Sequence, residues 1–402
     1  MLRTCLFLVP SGNAGGRFGT LGILRYFATF STNLSRWQRR CDRLAQLQRR
    51  IRFPPVEDIS VNGEDIKLPL PAVEPVRSPN QGELEYLVGF FDGDGCVSMA
   101  KETGDVMLLI GQNVDSAEVL LHFRSLLGGS VSRQSVSTGS KKAMLVWRVC
   151  GSKMTAAAEK LSRVPSMKQA QLLIAAKRNV PKSDRARVVQ CLQLLKQRQH
   201  VPDQWSECSW PYFAGFFDAE GTIIVHPTCA GLRLEIGQVN PCVLEHLLRF
   251  LLERGFKAWT LYHRVSNSVL LCERRPDPKQ TLELLLANGL LVKRKQAELA
   301  LTLSADNQLQ IRAAISSLNG LQGRYKRLDS AGVARAREIR RVQCRVHRLS
   351  GPEHATMLSQ LHELRAVQRL QKLISRCDLL RKDMRQSLRQ GGQVVPSTNC
   401  SS

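Results

Sequence analysis

The sequence predicts an α+β fold: two pseudo-symmetric αββαββα repeats whose antiparallel sheets form a saddle, with an N-terminal targeting segment and a C-terminal basic helical tail. Three observations carry this. One stretch occurs twice, as Leu84-Glu85-Tyr86-Leu87-Val88-Gly89-Phe90-Phe91-Asp92-Gly93-Asp94-Gly95 and as Trp210-Pro211-Tyr212-Phe213-Ala214-Gly215-Phe216-Phe217-Asp218-Ala219-Glu220-Gly221. Each copy is followed by the same order of alternating and helically spaced segments. Lys+Arg 58 against Asp+Glu 34 leaves +24 on 402 residues, a balance that suits a polyanion, most commonly nucleic acid.

The 43 % hydrophobic content suits two ordinary domains with extensions. The 12 cysteines are scattered without a Cys-x-x-Cys pair, which argues against zinc fingers and redox dithiols. No apolar run approaches membrane-spanning length, so no membrane partner is expected.

In chain order, residues 1–41 contain no Asp or Glu and carry Arg3, Arg17, Arg25, Arg36, Arg39 and Arg40. That is the composition of an organelle transit peptide, mitochondrial before chloroplast, with a basic arm on DNA as the alternative. Residues 42–80 read as a short basic helix to Ile51 and then a linker with Pro69, Pro71, Pro75 and Pro79. The first repeat, 81–200, opens on the duplicated helix. Strands are expected over 96–100, 106–112, 130–136 and 143–150, with helices over 116–127, from 153, over 167–177 and over 184–199. The second, 201–330, has strands over 222–225, 232–238, 257–264 and 268–273, and helices over 242–254, 279–287 and 293–303. Ile-Gly-Gln recurs at 110–112 and 236–238, and Lys-Gln-Ala at 168–170 and 295–297. The tail, 331–402, is Arg-rich. It is broken at Ser350-Gly351-Pro352 and is helical again from Met357 to Leu388, with Leu361, Leu364, Val367, Leu370 and Leu373 at helical spacing. Its most economical reading is a solvated basic face, and 391–402 reads as disordered.

The duplicated stretch reads as a buried helix with an acid at its end. Val88-Gly89 and Ala214-Gly215 are small enough for a second helix backbone to come close. Gly95 and Gly221 read as left-handed stops, which puts Asp94 and Glu220 at helix C-termini, where the dipole disfavours an anion. If the helices pack through their small faces the two acids meet, and a divalent cation with oxygen ligands is the simplest relief. A plain turn competes for Asp92-Gly93-Asp94-Gly95. A calcium loop does not, because Val97 stands where that loop needs Gly.

At these residues the chain resembles a single-chain, two-motif LAGLIDADG homing endonuclease. Leu87–Gly95 matches the nine-residue signature closely; Phe213–Gly221 matches with Phe for Leu and Glu for the metal-binding Asp. The likeness covers roughly 81–305, more weakly to about 345. It implies a monomer with internal pseudo-two-fold symmetry that hydrolyses double-stranded DNA at a specific site. It implies Mg²⁺ or another divalent cation such as Mn²⁺ on Asp94 and Glu220. Gln112, Gln238 and Lys293 match the residues that order the attacking water. Ser166 stands where the first-half lysine is due, with Lys168 two positions on; Ser116 and Pro241 or Cys242 stand where some members carry Arg. A depleted half-pocket would make a nickase or a non-cutting binder. An RNA maturase acting on intron RNA is the leading alternative, and a structural component of an organellar ribosome is a third class.

On the saddle's open faces, strand alternation proposes Ser98, Ala100, Arg133 and Ser135 in the first half. Thr222, His226, Thr228, Arg233 and Arg264 are the candidates in the second.

Overall fold

Helix α1 (Thr20–Arg49) runs unbroken because neither Gly nor Pro occurs between Gly22 and Pro54. The computed structural model describes residues 20–100, 105–177, 182–197, 208–227, 229–274, 276–318, 325 and 327–396, with backbone alone for 20–32, 182 and 197. The expected boundary at 41 falls inside this helix; residues 1–19, Thr228 and the end of the tail lie outside the described residues.

The segment expected as a linker forms strands. β1 (Ile51–Arg52) comes first, then the hairpin β2 (Asp58–Val61) and β3 (Glu64–Lys67), then β4 (Leu70–Val73). Asn62-Gly63 turns the hairpin with φ of 53° and 86°, the two positive angles a tight two-residue turn requires. β4 joins the edge of the first sheet, where Pro71 is tolerated.

The first repeat then follows the expected order. It runs α2 (Gln81–Asp94), β5 (Gly95–Met99), β6 (Val106–Asn113), α3 (Ala117–Leu127), β7 (Gly129–Ser135), β8 (Met144–Cys150), α4 (Gly151–Leu161), α5 (Gln169–Ala176) and α6 (Arg185–Gln197). The sheet order is β4-β7-β8-β6-β5, five strands rather than four. The second repeat has α7 (Trp210–Glu220), β9 (Gly221–Val225), β10 (Leu232–Gln238), α8 (Pro241–Glu253), β11 (Trp259–His263), β12 (Ser268–Cys272), α9 (Asp277–Ala287), α10 (Arg294–Leu301) and α11 (Gln308–Leu318). Its sheet order is β11-β12-β10-β9. The registers repeat: Gly95 faces Ile110 as Gly221 faces Ile236. Helices pack on one face of each sheet, over Trp147, Phe123 and Phe90 in the first and Trp259, Phe213 and Phe250 in the second, all buried.

α2 and α7 pack at backbone contact. A Cβ on Gly89 would lie 2.0 Å from the Tyr212 carbonyl oxygen, and one on Gly215 would lie 2.0 Å from that of Tyr86. Only glycine fits at either position, as the Val88-Gly89 and Ala214-Gly215 pairs led one to expect. Each helix is anchored at its start. Asn80 and Glu83 form a reciprocal capping box, and the Ser209 hydroxyl accepts from Tyr212 N at 3.2 Å.

The chain continues as α12 (Ser330–Val346) and α13 (Pro352–Arg389), followed by β13 (Gln393–Val394), which pairs with β1 rather than standing disordered. Two compact units result: Leu47–Arg327 with Asp383–Ser402, which holds both repeats, and Met1–Gln46 with Leu328–Lys382, whose described residues are mostly helical. The helical unit has contacts of its own, so the tail is more than a solvated face. Cys41 Sγ donates to Leu373 O at 3.2 Å, and Val342, Val346 and Leu361 form a small core. Among the described residues, no helix is long and apolar enough to cross a membrane.

Candidate active site

The two signature helices end side by side. A Cβ on Gly93 would lie 2.3 Å from Ala219 Cβ and 3.2 Å from Glu220 Cγ, so the tips carrying Asp94 and Glu220 touch. The glycines that follow are not left-handed. Gly95 and Gly221 have φ of −77° and −71°, extended values that lead straight into β5 and β9. They are glycines for space: a Cβ would meet the Phe91 ring at 2.3 Å and the Phe217 ring at 2.4 Å.

A lysine closes each helix end. Lys168 Nζ donates to the carbonyls of Phe91 (2.8 Å), Gly93 (3.3 Å) and Gly95 (2.6 Å). Lys293 Nζ donates to the Asp218 carbonyl. An ammonium at the negative end of a helix dipole is favourably placed, and it satisfies carbonyls left without intrahelical partners.

A buried aspartate fixes each lysine loop. Asp92 accepts from Met167 N (2.9 Å), Lys168 N (3.0 Å) and Tyr212 Oη (2.7 Å). Asp218 accepts from Leu291 N (2.6 Å), Val292 N (3.1 Å), Lys293 N (2.8 Å) and Tyr86 Oη (2.8 Å). The tyrosine comes from the opposite repeat each time, so each half helps to hold the other's lysine loop. Burial pushes both carboxyls up, and the lysine charges and these donors oppose it. Every partner is a donor, an arrangement that suits the ionised form.

This geometry corrects the sequence reading of the first half. Lys168, not Ser166, is the counterpart of Lys293: each binds its aspartate through its own N–H and sits at the N-cap of the next helix, α5 or α10. The Lys-Gln-Ala recurrence had set Lys168 against Lys295, out of register. Ser166 is fully buried, and its hydroxyl has no hydrogen-bond partner. Neither half lacks its lysine.

Glutamines complete the symmetry. Gln112 Nε2 donates to Asp94 Oδ2 at 2.6 Å, and Gln238 Nε2 to Glu220 Oε1 at 3.2 Å. Asp94 keeps an exposed edge, yet the atoms crowding it strip enough water to raise its carboxyl; Gln112, Lys293 and Lys168 pull it back. Desolvation and the Asp94 charge raise Glu220, against Gln238 and the two lysines. Burial lowers Lys168 and Lys293, and the surrounding carboxylates oppose it.

Asp94, Gln112 and Lys293 open onto a cleft of about 1640 Å³ that Arg49, Arg52, Lys141, Lys142 and Lys295 also line. These five basic residues were missed; only the Lys141-Lys142 pair in a turn hinted at them. Lys142 is paired with Asp115.

The open-face candidates divide. Ser98, Thr222, His226, Arg233 and Arg264 lie on the sides away from the helices, alternating with buried Val97, Ile223, Val225 and Leu234. Arg233 is ion-paired with Glu235 and Glu273, each at 3.0 Å, so its charge is largely offset. Arg133 is on the other side. Its register partner is buried Leu145, and its guanidinium donates to Val56 O (2.5 Å) and Leu68 O (2.9 Å), holding the β2–β3 segment in place. A bulge between Arg133 and Ser135 returns Ser135 to the cleft.

Among the described residues, no cluster of three or more His, Cys, Asp or Glu side chains could hold a metal. The donor set at the tips is two oxygen-bearing side chains with mutually unfavourable charges, which suits a hard dication whose other ligands are water and phosphate oxygens.

No protein-family model matches the sequence, and no curated protein does. Solved structures with a similar course include I-SmaMI bound to an uncleaved DNA target in the presence of calcium ions. It has 13% identity, covers 59% of this chain and 98% of that one, and has a TM-score of 0.38. The LAGLIDADG meganuclease I-AabMI bound to uncleaved DNA has 14% identity, 58% and 91% coverage and a TM-score of 0.40. The LAGLIDADG homing endonuclease I-GzeII with its DNA target has 14% identity, 61% and 98% coverage and a TM-score of 0.41. Likenesses of this degree add no weight to the site. By its own duplicated signature, repeated registers and paired helix tips, the chain has the two-repeat LAGLIDADG homing-endonuclease fold.

Proposed function

We propose that this protein is a site-specific double-stranded DNA endonuclease that hydrolyses phosphodiester bonds with Mg²⁺ or a similar cation such as Mn²⁺. The observation that supports this most is the meeting of Asp94 and Glu220 at two helix tips, each with its own glutamine and lysine. The duplex lies across the open sheet faces, which bring a backbone phosphate of each strand to the tips. A bound dication supplies Lewis acidity and a more acidic water there. The chain's residues hold and orient. Gln112 and Gln238 fix which carboxylate oxygens face the cation, and Lys168 and Lys293 place positive charge beside the phosphates. No side chain acts as nucleophile. Two complete half-sites favour cutting of both strands over nicking.

The experiment is cleavage-site selection from a randomised duplex library with Mg²⁺, against an EDTA control. A single enriched site cut on both strands supports the reading; no metal-dependent enrichment refutes it.

One observation favours a second reading, a nucleic-acid-binding protein without cleavage, an RNA maturase among its forms. The middle of the first sheet's open face carries Met107, Leu109, Met144 and Val146, which offer few groups for reading base edges and leave that work to Ser98, Ser132, Ser135 and Arg148 around them. That reading expects tight binding with no hydrolysis in the same experiment. Import into an organelle, the mitochondrion before the chloroplast, rests on the acid-free first 41 residues. Fusing those residues to a fluorescent protein tests it.

A further inference from the structure

The helical unit carries a charged feature of its own on α12. Arg337, Arg341, Arg345 and Arg348 recur at intervals of four, four and three along α12 and its end, and Arg340 flanks them, so they share one broad face; all five are exposed. Buried Val342 and Val346 on the opposite side pack with Leu361 of α13 and hold that face outward. The row spans about 16 Å at the rise of an α-helix. Glu338 pairs with Arg341 and offsets part of its charge. At the turn into α13, where Gly351 takes φ +71°, a cavity of about 540 Å³ opens. Its apolar lining comes from Leu349 and Met357; Arg345 and Arg348 from the row, Thr356 and Glu353 complete it.

We propose that this unit binds RNA at an unpaired nucleotide, with the base in the cavity between α12 and α13 and the flanking phosphates along the arginine row. A flat base suits an apolar floor flanked by guanidinium planes, and the volume is that of an ordinary small-ligand site. The Glu353 carboxylate accepts from an exocyclic amine and repels phosphate, which sends the backbone toward α12. A base inside a regular duplex cannot enter. Unpaired nucleotides beside a continuous backbone are what folded RNA offers.

The test uses the full chain and fluorescence anisotropy over a salt series. The probes are an RNA hairpin with one bulged adenosine, the same hairpin fully paired, and the bulged hairpin as DNA. The bulged RNA should bind about tenfold more tightly than the paired RNA, as one stacked base warrants. The triple variant Arg337→Gln, Arg340→Gln, Arg341→Gln should lower the salt slope by about 2 while keeping the bulge preference. Thr356→Trp, a filling change at an exposed position, should abolish the preference and leave slope and melting temperature unchanged. Thr356→Trp should bind and cut duplex DNA as the parent does, so the loss of the bulge preference is read independently of the nuclease reading. Equal affinity for the three probes overturns the proposal. So does a bulge preference that survives Thr356→Trp, or a triple variant with an unchanged slope.

Discussion

Asp94 and Glu220 illustrate how a site can cost stability. Both carboxyls are raised by desolvation, from ordinary values of 3.8 and 4.5, and Glu220 further by Asp94. An acid raised in the folded state gives stability that is complete below its ordinary value and is lost as pH climbs through the raised one. In metal-free protein the destabilisation contributed by these two groups should therefore shrink as pH falls from neutral toward 4.5, so the parent should gain on Asp94→Asn over that range. Asp94→Asn should raise metal-free stability at neutral pH by about 1 kcal/mol or less, after discounting for its exposed edge. Thermal melts with and without Mg²⁺ check both, and only the parent should gain from the metal. The lysines make the second residue-scale prediction. Lys168→Met and Lys293→Met should each slow cutting of one strand by about 10²-fold, so that nicked circles accumulate. Equal loss on both strands would contradict two independent half-sites. Lys168 was the residue the sequence hid. Spacing from the signature pointed to Ser166, and only the hydrogen bonds to Asp92 identify its true partner. Tyr86, Tyr212, Asp92 and Asp218 were visible in the repeat, but nothing in a linear sequence says that a tyrosine of one half binds the aspartate of the other.

At the scale of elements, the α2–α7 contact decides the fold. Gly89→Ala would place a methyl 2.0 Å from a backbone oxygen that cannot retreat without parting the helices. The expected cost is about 3 kcal/mol or more, read from denaturant midpoints, with cutting lost as well. The start of α2 gives a pH prediction of opposite sign. Arg77 beside Glu83 holds that carboxyl down at about 2, helped by the Asn80 backbone N–H. A depressed acid stabilises above its ordinary value of 4.5 and loses that contribution as pH falls through about 2. Glu83→Gln should cost about 1 kcal/mol at neutral pH, a cost that shrinks as pH falls from 4.5 through about 2. Both repeats' strands were legible within a residue or two because one face of each is buried, which imposes alternation. The 42–80 segment was misread because its prolines outweighed Asn62-Gly63, the turn signal inside it. Only Ile59 and Leu68 of its hairpin and the strand-joining turn are buried, too few to set an alternation, and the rest is held by pairing and by Arg133.

Over the whole molecule, two near-copies of one chain segment bring their acids together through a dry helix pair, and the sheets behind them repeat the same register. Local pattern displayed each half; the meeting of the halves depended on the two glycines. The helical unit was the least legible part, since its apolar positions are sparse among arginines and its small core takes residues from α12 and α13 together. The proposed function requires the paired tips to form one metal-dependent hydrolytic site. On the duplex recovered by selection, cleavage and binding should be compared for the parent, Asp94→Asn and Glu220→Gln. The parent should cut both strands with Mg²⁺, and each variant should bind as tightly but cut neither. Variants that cut at the parent's rate would contradict that function.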